Sequence, residues 1–207
     1  MDIDMKLDDI RKKVENIKAS PIETNYYYAV LVPLVEINGE LQLVFQVRSF
    51  DIDRQPGEIS FPGGQVELKE SFKEAAIRET YEEIGIEKEK IEVICELDYI
   101  VGKSNYFIYP YLGYLHDTDV YKLNFSKDEV EELFTVPLEY FLTHQPEIHY
   151  VKYIPNIDDG FPFHMIQNGK DYKWGKIEYP VYFYKYKKYI IWGLTAKITY
   201  NFIKKLK

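Results

Sequence analysis

The sequence predicts an α+β or α/β sandwich, in which a mixed β-sheet carries helices on both of its faces. Three observations support this fold class. Stretches rich in β-branched and aromatic residues alternate with stretches whose apolar residues recur every three or four positions. The 207 residues are 46% hydrophobic, which is enough for one domain with a real core. No Gly/Ser-rich or Pro-rich linker divides the chain, so we expect a single domain over residues 1–207.

The first half of the chain begins with an amphipathic segment. Apolar residues at helical spacing predict a helix near residues 6–18, which ends before Pro21. We therefore expect residues 1–21 to form a helical extension and residues 22–207 to form the main fold. The next predicted elements, in chain order, are a strand at 26–35, a hairpin turn at Asn38-Gly39, a strand at 41–47, a glycine- and proline-rich loop at 55–64 and a helix at 72–84.

The second half of the chain is richer in strands. The predicted elements are strands at 91–100 and 106–115, a short strand at 133–136 halted by Pro137, one helical turn at 138–142, strands at 149–154 and 180–186, and a closing helix at 194–206. The chain has 20 tyrosines, many of them in this half. Half-buried strands explain such amphipathic side chains, and aromatic walls around a ligand are the alternative.

Charge and composition limit the classes of function. The formal net charge of −8 disfavours general nucleic-acid binding, because negatively charged phosphate backbones bind to basic surfaces. A single cysteine, Cys95, cannot form an internal disulfide, and we expect it to be buried in a strand in a reducing compartment. Residues 1–6 are charged and no stretch approaches 18 uncharged apolar residues, so we expect no signal peptide, no membrane span and a cytoplasmic location.

The predicted helix at 72–84 has an unusual distribution of charge. Its apolar sector, which we expect to face the sheet, consists of Ala76, Ile77, Thr80 and Ile84. Glu79, Glu82 and Glu83 share a neighbouring sector, where like charges repel by roughly 0.2–0.5 kcal/mol per exposed pair. A divalent cation would offset this repulsion, since Mg²⁺ and Mn²⁺ prefer oxygen ligands. The alternative is a solvated acidic face with Arg78 and Lys73 as partners.

The segment before this helix favours the metal. Paired glycines, Gly63 and Gly64, allow a tight turn whose backbone can face a metal or a phosphate. Ser71 and Glu74 form a capping box that predicts the start of the helix, and Gly85 sits where a C′ glycine belongs. Glu70 lies just before the capped start, so we expect it to face the same site.

These residues together resemble a known family signature. Gly64, then Glu70, then Arg78-Glu79 and the run Thr80 to Ile86 match the Nudix box in 23 residues with fixed gaps, with Thr80 replacing an aliphatic residue. The resemblance implies the Nudix α/β/α sandwich and a Mg²⁺- or Mn²⁺-dependent hydrolase of nucleotide diphosphates. It also implies metal binding by Glu79, Glu82 and Glu83, aided by the Gly64 carbonyl and by Glu70, with Arg78 orienting the carboxylates.

Two glutamates are candidates for the general base that activates water. Glu79 lies in the box itself, and Glu129 lies in a later acidic run, from which Nudix enzymes often supply a carboxylate. The alternative for Glu129 is a capping or solvated residue after Ser126. The sequence does not choose between the two bases.

The segment upstream of the box resembles the motif of coenzyme A diphosphatases. It runs through Leu43 to Ser49, Arg54, Gly57 and Phe61 to Gly64, and Arg54 lies one residue nearer Gly57 than in that motif. A late segment, Trp192 to Lys197, also resembles these enzymes. The resemblance implies cleavage of coenzyme A and its thioesters into 3′,5′-ADP and 4′-phosphopantetheine. Arg48, Arg54 and Gly63 are the predicted substrate contacts, with a surface ion pair as the alternative for Arg48.

Two other functions remain open. The same box would serve ADP-ribose or a nucleoside triphosphate, and a Nudix-derived module could bind its ligand without turnover. The presence of all the box acids argues against the second of these. The expected partner is a small molecule, and the sequence leaves the oligomeric state open between a monomer and a homodimer.

Overall fold

A computed structural model of the chain describes residues 6–22, 26–103 and 105–207. The helices are α1 (Leu7–Val14), α2 (Phe72–Ile84), α3 (Leu138–Thr143) and α4 (Gly193–Leu206). The strands are β1 (Tyr26–Ile37), β2 (Glu40–Arg48), β3 (Ile59–Ser60), β4 (Gly63–Gln65), β5 (Ile91–Glu96), β6 (Ile100–Val101), β7 (Tyr106–Leu115), β8 (Val130–Pro137), β9 (Glu147–Tyr153), β10 (Ile177–Tyr186) and β11 (Tyr189–Trp192).

The main sheet is mixed, as the sequence predicts. Its order is β3-β2-β1-β7-β5, and β8 pairs with β2, β4 with β1 and β6 with β7. β1 and β7 run parallel, whereas the other described pairs are antiparallel. The predicted hairpin joins β1 to β2. Asn38 and Gly39 have φ values of 53° and 81°, the positive pair that a two-residue turn needs to match the twist of its strands.

Alternation along the strands divides the core into two layers. In β1, Val32 and Leu34 face one cluster, while Leu31 and Val35 face the other. The first cluster is covered by α3 and α4, and the second by α2. This alternation buries both faces of the sheet, so the predicted sandwich with helices on both faces is confirmed.

A second sheet has the order β11-β10-β9 and packs beside α4. Tyr184 of β10 and Ile191 of β11 are buried in the first core cluster. Most of β10 is half-buried, as expected for its tyrosines, but every residue of β9 is exposed. The sequence did not predict β11, which is a four-residue strand that is held by its pairing with β10.

Some predicted elements differ from the structure. The expected strand at 91–100 ends at Glu96, and pairing resumes only at Ile100. Cys95 was predicted to be buried, which is wrong, because the residue is exposed. The register of β5 shifts between Val93 and Cys95, and β5 is the last strand in the order of the main sheet. A register shift changes which face a side chain occupies, and an edge strand has a neighbour on one side only.

The N-terminal segment is peripheral. Helix α1 ends at Val14, four residues before the predicted end, and none of its residues is buried. The expectations for residues 1–5 fall outside the described residues. In the part of the chain that the structure describes, no helix has the length and apolar content to cross a membrane. The division into an extension at 1–21 and a main fold at 22–207 stays a prediction.

Candidate active site

Helix α2 begins and ends where the sequence predicts. The Ser71 hydroxyl accepts a hydrogen bond from the Glu74 amide at 3.2 Å, and the Glu74 carboxylate accepts one from the Ser71 amide at 2.7 Å. At the other end Gly85 has φ 73°, and its amide donates to the Tyr81 carbonyl at 3.0 Å. A Cβ at Gly85 would collide with the Asn124 carbonyl oxygen, so glycine is required both for the conformation and for the close approach. These local contacts fix which residues α2 presents to the sheet.

The buried face of α2 differs from the predicted face at one functional residue. It consists of Ala75, Ala76, Thr80, Glu83 and Ile84, while the predicted Ile77 is only half-buried. The buried hydroxyl of Thr80 donates a hydrogen bond to the Ala76 carbonyl at 2.6 Å, so it does not lack a partner. Glu83 was expected in an acidic sector away from the core, which is wrong, because it is 5% exposed. The sheet covers it from the side of β2 and β4.

Glu83 is held by two hydrogen bonds from these strands. Its Oε2 accepts from the Gly63 amide at 2.8 Å and from Gln46 Nε2 at 3.0 Å. Burial raises the pKa of Glu83 to about 7, the negative charges of Glu79 and Glu129 act in the same direction, and the two hydrogen bonds oppose them. A Cβ at Gly63 would collide with the β1 backbone, so glycine is needed to bring this amide to the carboxylate.

Arg78 gathers the other acidic residues of the box. Its Nη1 donates to Glu79 at 2.8 Å and to Glu82 at 2.9 Å. Its Nε and Nη2 donate to the two oxygens of Glu70 at 3.1 and 2.8 Å, and Nη2 also reaches the Gln65 carbonyl at 3.1 Å. The Arg78 hydrogen bonds lower the pKa of Glu70, whereas burial raises the pKa of Glu79. Arg78 is therefore placed where the sequence expects it, between Glu70 and the helix carboxylates.

Gly64 lies against the Glu79 carboxylate. A Cβ at this position would overlap the Glu79 carboxylate, so a side chain here would displace it. The predicted residues Gly63, Gly64, Glu79 and Glu83 thus come together at the junction of β4 and α2. Glu82 belongs to the same cluster through Arg78, but its side chain is 48% exposed.

The donor set fits a divalent cation. Glu83 is buried and Glu79 is half-buried, and the pKa values of both carboxylates rise because burial penalises their charged forms. A divalent cation would supply the missing positive charge, and carboxylate oxygen is a ligand that Mg²⁺ and Mn²⁺ prefer. In the described ranges no three acidic, His or Cys side chains converge on one point, and the Arg78 guanidinium bridges Glu79 and Glu82.

Glu129 lies in the turn before β8. Its amide donates to the Ser126 carbonyl at 3.2 Å, and its carbonyl accepts from the Ser49 amide at 2.8 Å. Its side chain is exposed, and its negative charge contributes to the raised pKa values of both Glu79 and Glu83. The backbone of Glu129 therefore belongs to a turn after Ser126, and its carboxylate acts on the acidic cluster through its charge.

The two predicted arginines have different positions. Arg48, at the end of β2, lines a cavity of about 300 Å³ that also includes Ser60, Gly63 and Trp192. Its Nε donates to the Arg54 carbonyl at 3.4 Å, and it forms no ion pair within the described residues. Arg54 is exposed and does not line this cavity. The structure thus brings Arg48 and Gly63 together and leaves the Arg54 side chain outside.

Gln46 is a site residue that the sequence reasoning missed. It is 1% exposed, and its Nε2 also approaches the Ser60 hydroxyl at 3.3 Å. Its Oε1 is buried without a partner among the described residues. The available signal was a polar residue in the otherwise apolar run Leu43 to Val47. A buried amide in such a strand requires a polar partner, and here that partner is Glu83.

Fold and site together define a class. A short glycine-containing strand that hydrogen-bonds to a carboxylate-bearing helix, on a mixed sheet between two helical layers, is a Nudix-type sandwich. A family model described as NUDIX domain matches residues 26–157, and the chain belongs to the Nudix family.

Relatives with known names extend the comparison. The mouse (Mus musculus) peroxisomal coenzyme A diphosphatase NUDT7 is 33% identical over 190 residues, which cover 91% of this chain and 73% of that protein. The mouse mitochondrial coenzyme A diphosphatase NUDT8 is 31% identical over 173 residues, which cover 83% of this chain and 73% of that protein. Among solved structures, a C. elegans Ap4A hydrolase binary complex has 25% identity and a TM-score of 0.47, covering 56% of this chain and 82% of that one.

Proposed function

We propose that this protein hydrolyses the diphosphate of coenzyme A and its thioesters to 3′,5′-ADP and 4′-phosphopantetheine, with Mg²⁺ or Mn²⁺ as cofactor. The observation that carries the proposal is the acidic cluster of Glu79, Glu82 and Glu83 beside Gly63 and Gly64 of β4, next to the cavity that Arg48 lines. The names of the two mouse relatives support coenzyme A as the substrate.

The side chains have distinct tasks in this proposal. Glu79, Glu82 and Glu83 would hold the cation, which would neutralise charge on the diphosphate and lower the pKa of a bound water. Gln46 and the Gly63 amide keep Glu83 oriented by their hydrogen bonds to its Oε2. Arg78 holds Glu79 and Glu82 from the opposite side and anchors them to Glu70.

The remaining tasks fall to residues around the cluster. Glu79 or Glu129 takes a proton from the attacking water, which adds to one phosphorus while the bond from that phosphorus to the bridging oxygen breaks. Arg48 contacts a phosphate oxygen of the substrate from the cavity wall.

A substrate panel read by mass spectrometry tests the proposal. The panel contains coenzyme A, acetyl-coenzyme A, ADP-ribose and a nucleoside triphosphate, each with Mg²⁺ and with Mn²⁺. We expect the coenzyme A forms to have the highest kcat/KM. Glu82→Gln should remove nearly all turnover, whereas Glu87→Gln, an exposed glutamate just beyond the helix, should behave as wild type.

Other results of the substrate panel would overturn different parts of the proposal. A preference for ADP-ribose or the triphosphate would overturn coenzyme A as the substrate while retaining a Nudix hydrolase. No turnover of any compound would favour a binding module. Wild-type activity of Glu82→Gln at saturating metal would overturn the role of that carboxylate.

Location and assembly stay predictions. The cytoplasmic location expected from the sequence contrasts with the names of the mouse relatives, which are peroxisomal and mitochondrial proteins. Fractionation of cells that express the untagged chain tests the location, and sedimentation at several concentrations tests the homodimer.

A further inference from the structure

A second cavity adjoins the one that Arg48 lines. It has a volume of about 320 Å³, and it lies among β6, the start of β7, the second sheet and the start of α4. Trp192, Gly193 and Leu194 line both cavities. The two spaces are therefore neighbours across the turn from β11 into α4, and one elongated ligand can occupy both.

The strand order sets the distance from the acidic cluster to the second cavity. Gly63 of β4 is the partner of Val30 on β1, and β1 is next to β7. On β7, Ile108 is the partner of Ile100 on β6, which lines the second cavity. From the backbone of β4 to that of β6 this path crosses three interstrand spacings, or about 14 Å, and the step along β7 from Pro110, the partner of Val30, to Ile108 makes it longer. A phosphate group is too short for this distance, whereas a nucleoside attached to the diphosphate is long enough.

The side chains of the second cavity are basic and aromatic. Its lining includes Lys103 and Lys197 together with Tyr106, Tyr153, Tyr179 and Trp192, and it includes no acidic residue within the described part of the chain. The first cavity, in contrast, contains Glu58 as well as Arg48. In a chain with a net charge of −8, a cavity with two lysines and no carboxylate favours an anion carried on a flat ring.

The two lysines are available to a ligand. Lys103 Nζ lies 3.3 Å from the ring centroid of Tyr153 and 3.4 Å from that of Tyr179, so cation–π contacts position it. The hydroxyls of these two tyrosines are 3.0 Å apart, which fixes the rings relative to each other. Neither Lys103 nor Lys197 forms an ion pair with any residue in the described ranges. Their charges are thus not neutralised by a carboxylate.

We propose that the second cavity binds the 3′-phosphorylated adenosine end of the substrate. Lys103 and Lys197 contact the 3′-phosphate, and the aromatic side chains face the adenine. This inference rests on the proposed function, and it deepens it by assigning one end of the ligand to one cavity. It leaves Arg48, which lines the first cavity, as a contact for the diphosphate, and it gives no role to Arg54, which lines neither cavity.

Binding of products without turnover tests this assignment. Calorimetry compares 3′,5′-ADP with 5′-AMP, which differ only in the 3′-phosphate, on wild type, Lys103→Ala and Lys197→Ala. A charge-assisted hydrogen bond corresponds to about a ten- to hundredfold change in Kd. Each alanine variant should therefore weaken the binding of 3′,5′-ADP by that factor. Binding of 5′-AMP should change less than about twofold, and Lys197→Arg should retain most of the affinity.

The matched control is Lys204→Ala. Lys204 is an exposed lysine of the same helix, it lines neither cavity, and its removal changes the net charge by the same amount. It should leave both affinities at their wild-type values. A loss of 3′,5′-ADP affinity in Lys204→Ala equal to that in Lys197→Ala would overturn the proposal, since net charge alone would then explain the result.

Two further outcomes would overturn the assignment. Equal losses for 5′-AMP and 3′,5′-ADP would show that the lysines do not contact the 3′-phosphate. If the two lysine variants bound 3′,5′-ADP as wild type does but bound 4′-phosphopantetheine more weakly, the cavity would bind the other end of coenzyme A. Failure of the proposed function is separate, because it would appear as wild-type protein that does not cleave coenzyme A, whatever the lysine variants bind.

Discussion

Glu79 and Glu129 differ in their surroundings, and this difference bears on which of them accepts a proton from water. Glu79 is 18% exposed, and one of its oxygens already accepts a hydrogen bond from Arg78. Glu129 is exposed, and its negative charge contributes to the raised pKa values of Glu79 and Glu83. A general base needs a free lone pair and access to water, whereas a metal ligand needs to be held in place. These requirements favour Glu129 as the base and Glu79 as a ligand.

The test of the base compares two glutamine variants. Glu129→Gln should lower kcat by about 10²–10⁴-fold, the usual contribution of general base catalysis, with little change in Mn²⁺ affinity. Glu79→Gln should weaken Mn²⁺ binding as well. Glu131→Gln, an exposed neighbour, is the control for charge. A large loss of kcat in Glu79→Gln with a near-normal Glu129→Gln would assign the base to the helix instead.

At the scale of elements, the end of α2 joins the acidic helix to the loop that carries Glu129. The Ser126 amide donates to the Glu83 carbonyl at 2.9 Å, and Gly85 packs against the Asn124 carbonyl. The helix therefore stops at a glycine that also allows the next segment to approach. This junction sets the distance between the helix carboxylates and Glu129.

Gly85→Ala should weaken this junction. An alanine with φ near 73° costs about 1–2 kcal/mol, and its Cβ would also meet the Asn124 oxygen, so we expect a loss of at least that size in the free energy of unfolding. Urea denaturation measures it. Gly160→Ala is the matched control, because nothing lies within 4 Å of the added Cβ. Equal stability of the two variants would contradict the structural role of Gly85.

At the scale of the whole molecule, the acidic cluster reduces stability when no cation is bound. The folded protein raises the pKa of Glu83 to about 7 from an ordinary value of 4.5, so between these pH values the native state binds more protons than the unfolded state. The free energy of unfolding should therefore fall as pH rises through this window. Carboxylates with a lowered pKa in the folded protein, such as Glu70 and Glu132, have the opposite effect. They make the free energy of unfolding rise with pH in the more acidic range.

Thermal unfolding in chelator tests this linkage. Glu83→Gln keeps an acceptor for the Gly63 amide but carries no charge, so its Tm relative to wild type should be higher at pH 8 than at pH 5. Adding Mn²⁺ at pH 8 should raise the Tm of wild type more than that of the variant, because the cation stabilises the state that binds it. A Tm difference that does not change with pH would show that Glu83 is not the group responsible.

Several elements follow from local signals, and the structure confirms them. The bounds of α2 agree with a capping box at one end and a glycine at the other, and β7 occupies the predicted residues 106–115. The turn at Asn38-Gly39 is also local, because its residues adopt positive φ more readily than others. The short strands β3, β4 and β11 were missed, since a few residues carry no measurable periodicity.

The sequence by itself determined the mixed sandwich, the helix with its acidic residues and the family. Each of these depends on residues close together in the chain, where spacing, capping and turn chemistry act directly. The tight turn expected at Gly63-Gly64 is wrong, because both glycines belong to strand β4. Only the tertiary structure decided that Glu83 is buried under Gln46, that Cys95 is exposed, and that Arg48 rather than Arg54 lines a cavity. Only it placed Lys103 and Lys197 in one space. These features arise from contacts between residues far apart in the chain, such as Arg48 and Trp192 in one cavity, and such contacts depend on strand order and packing, which no local pattern encodes.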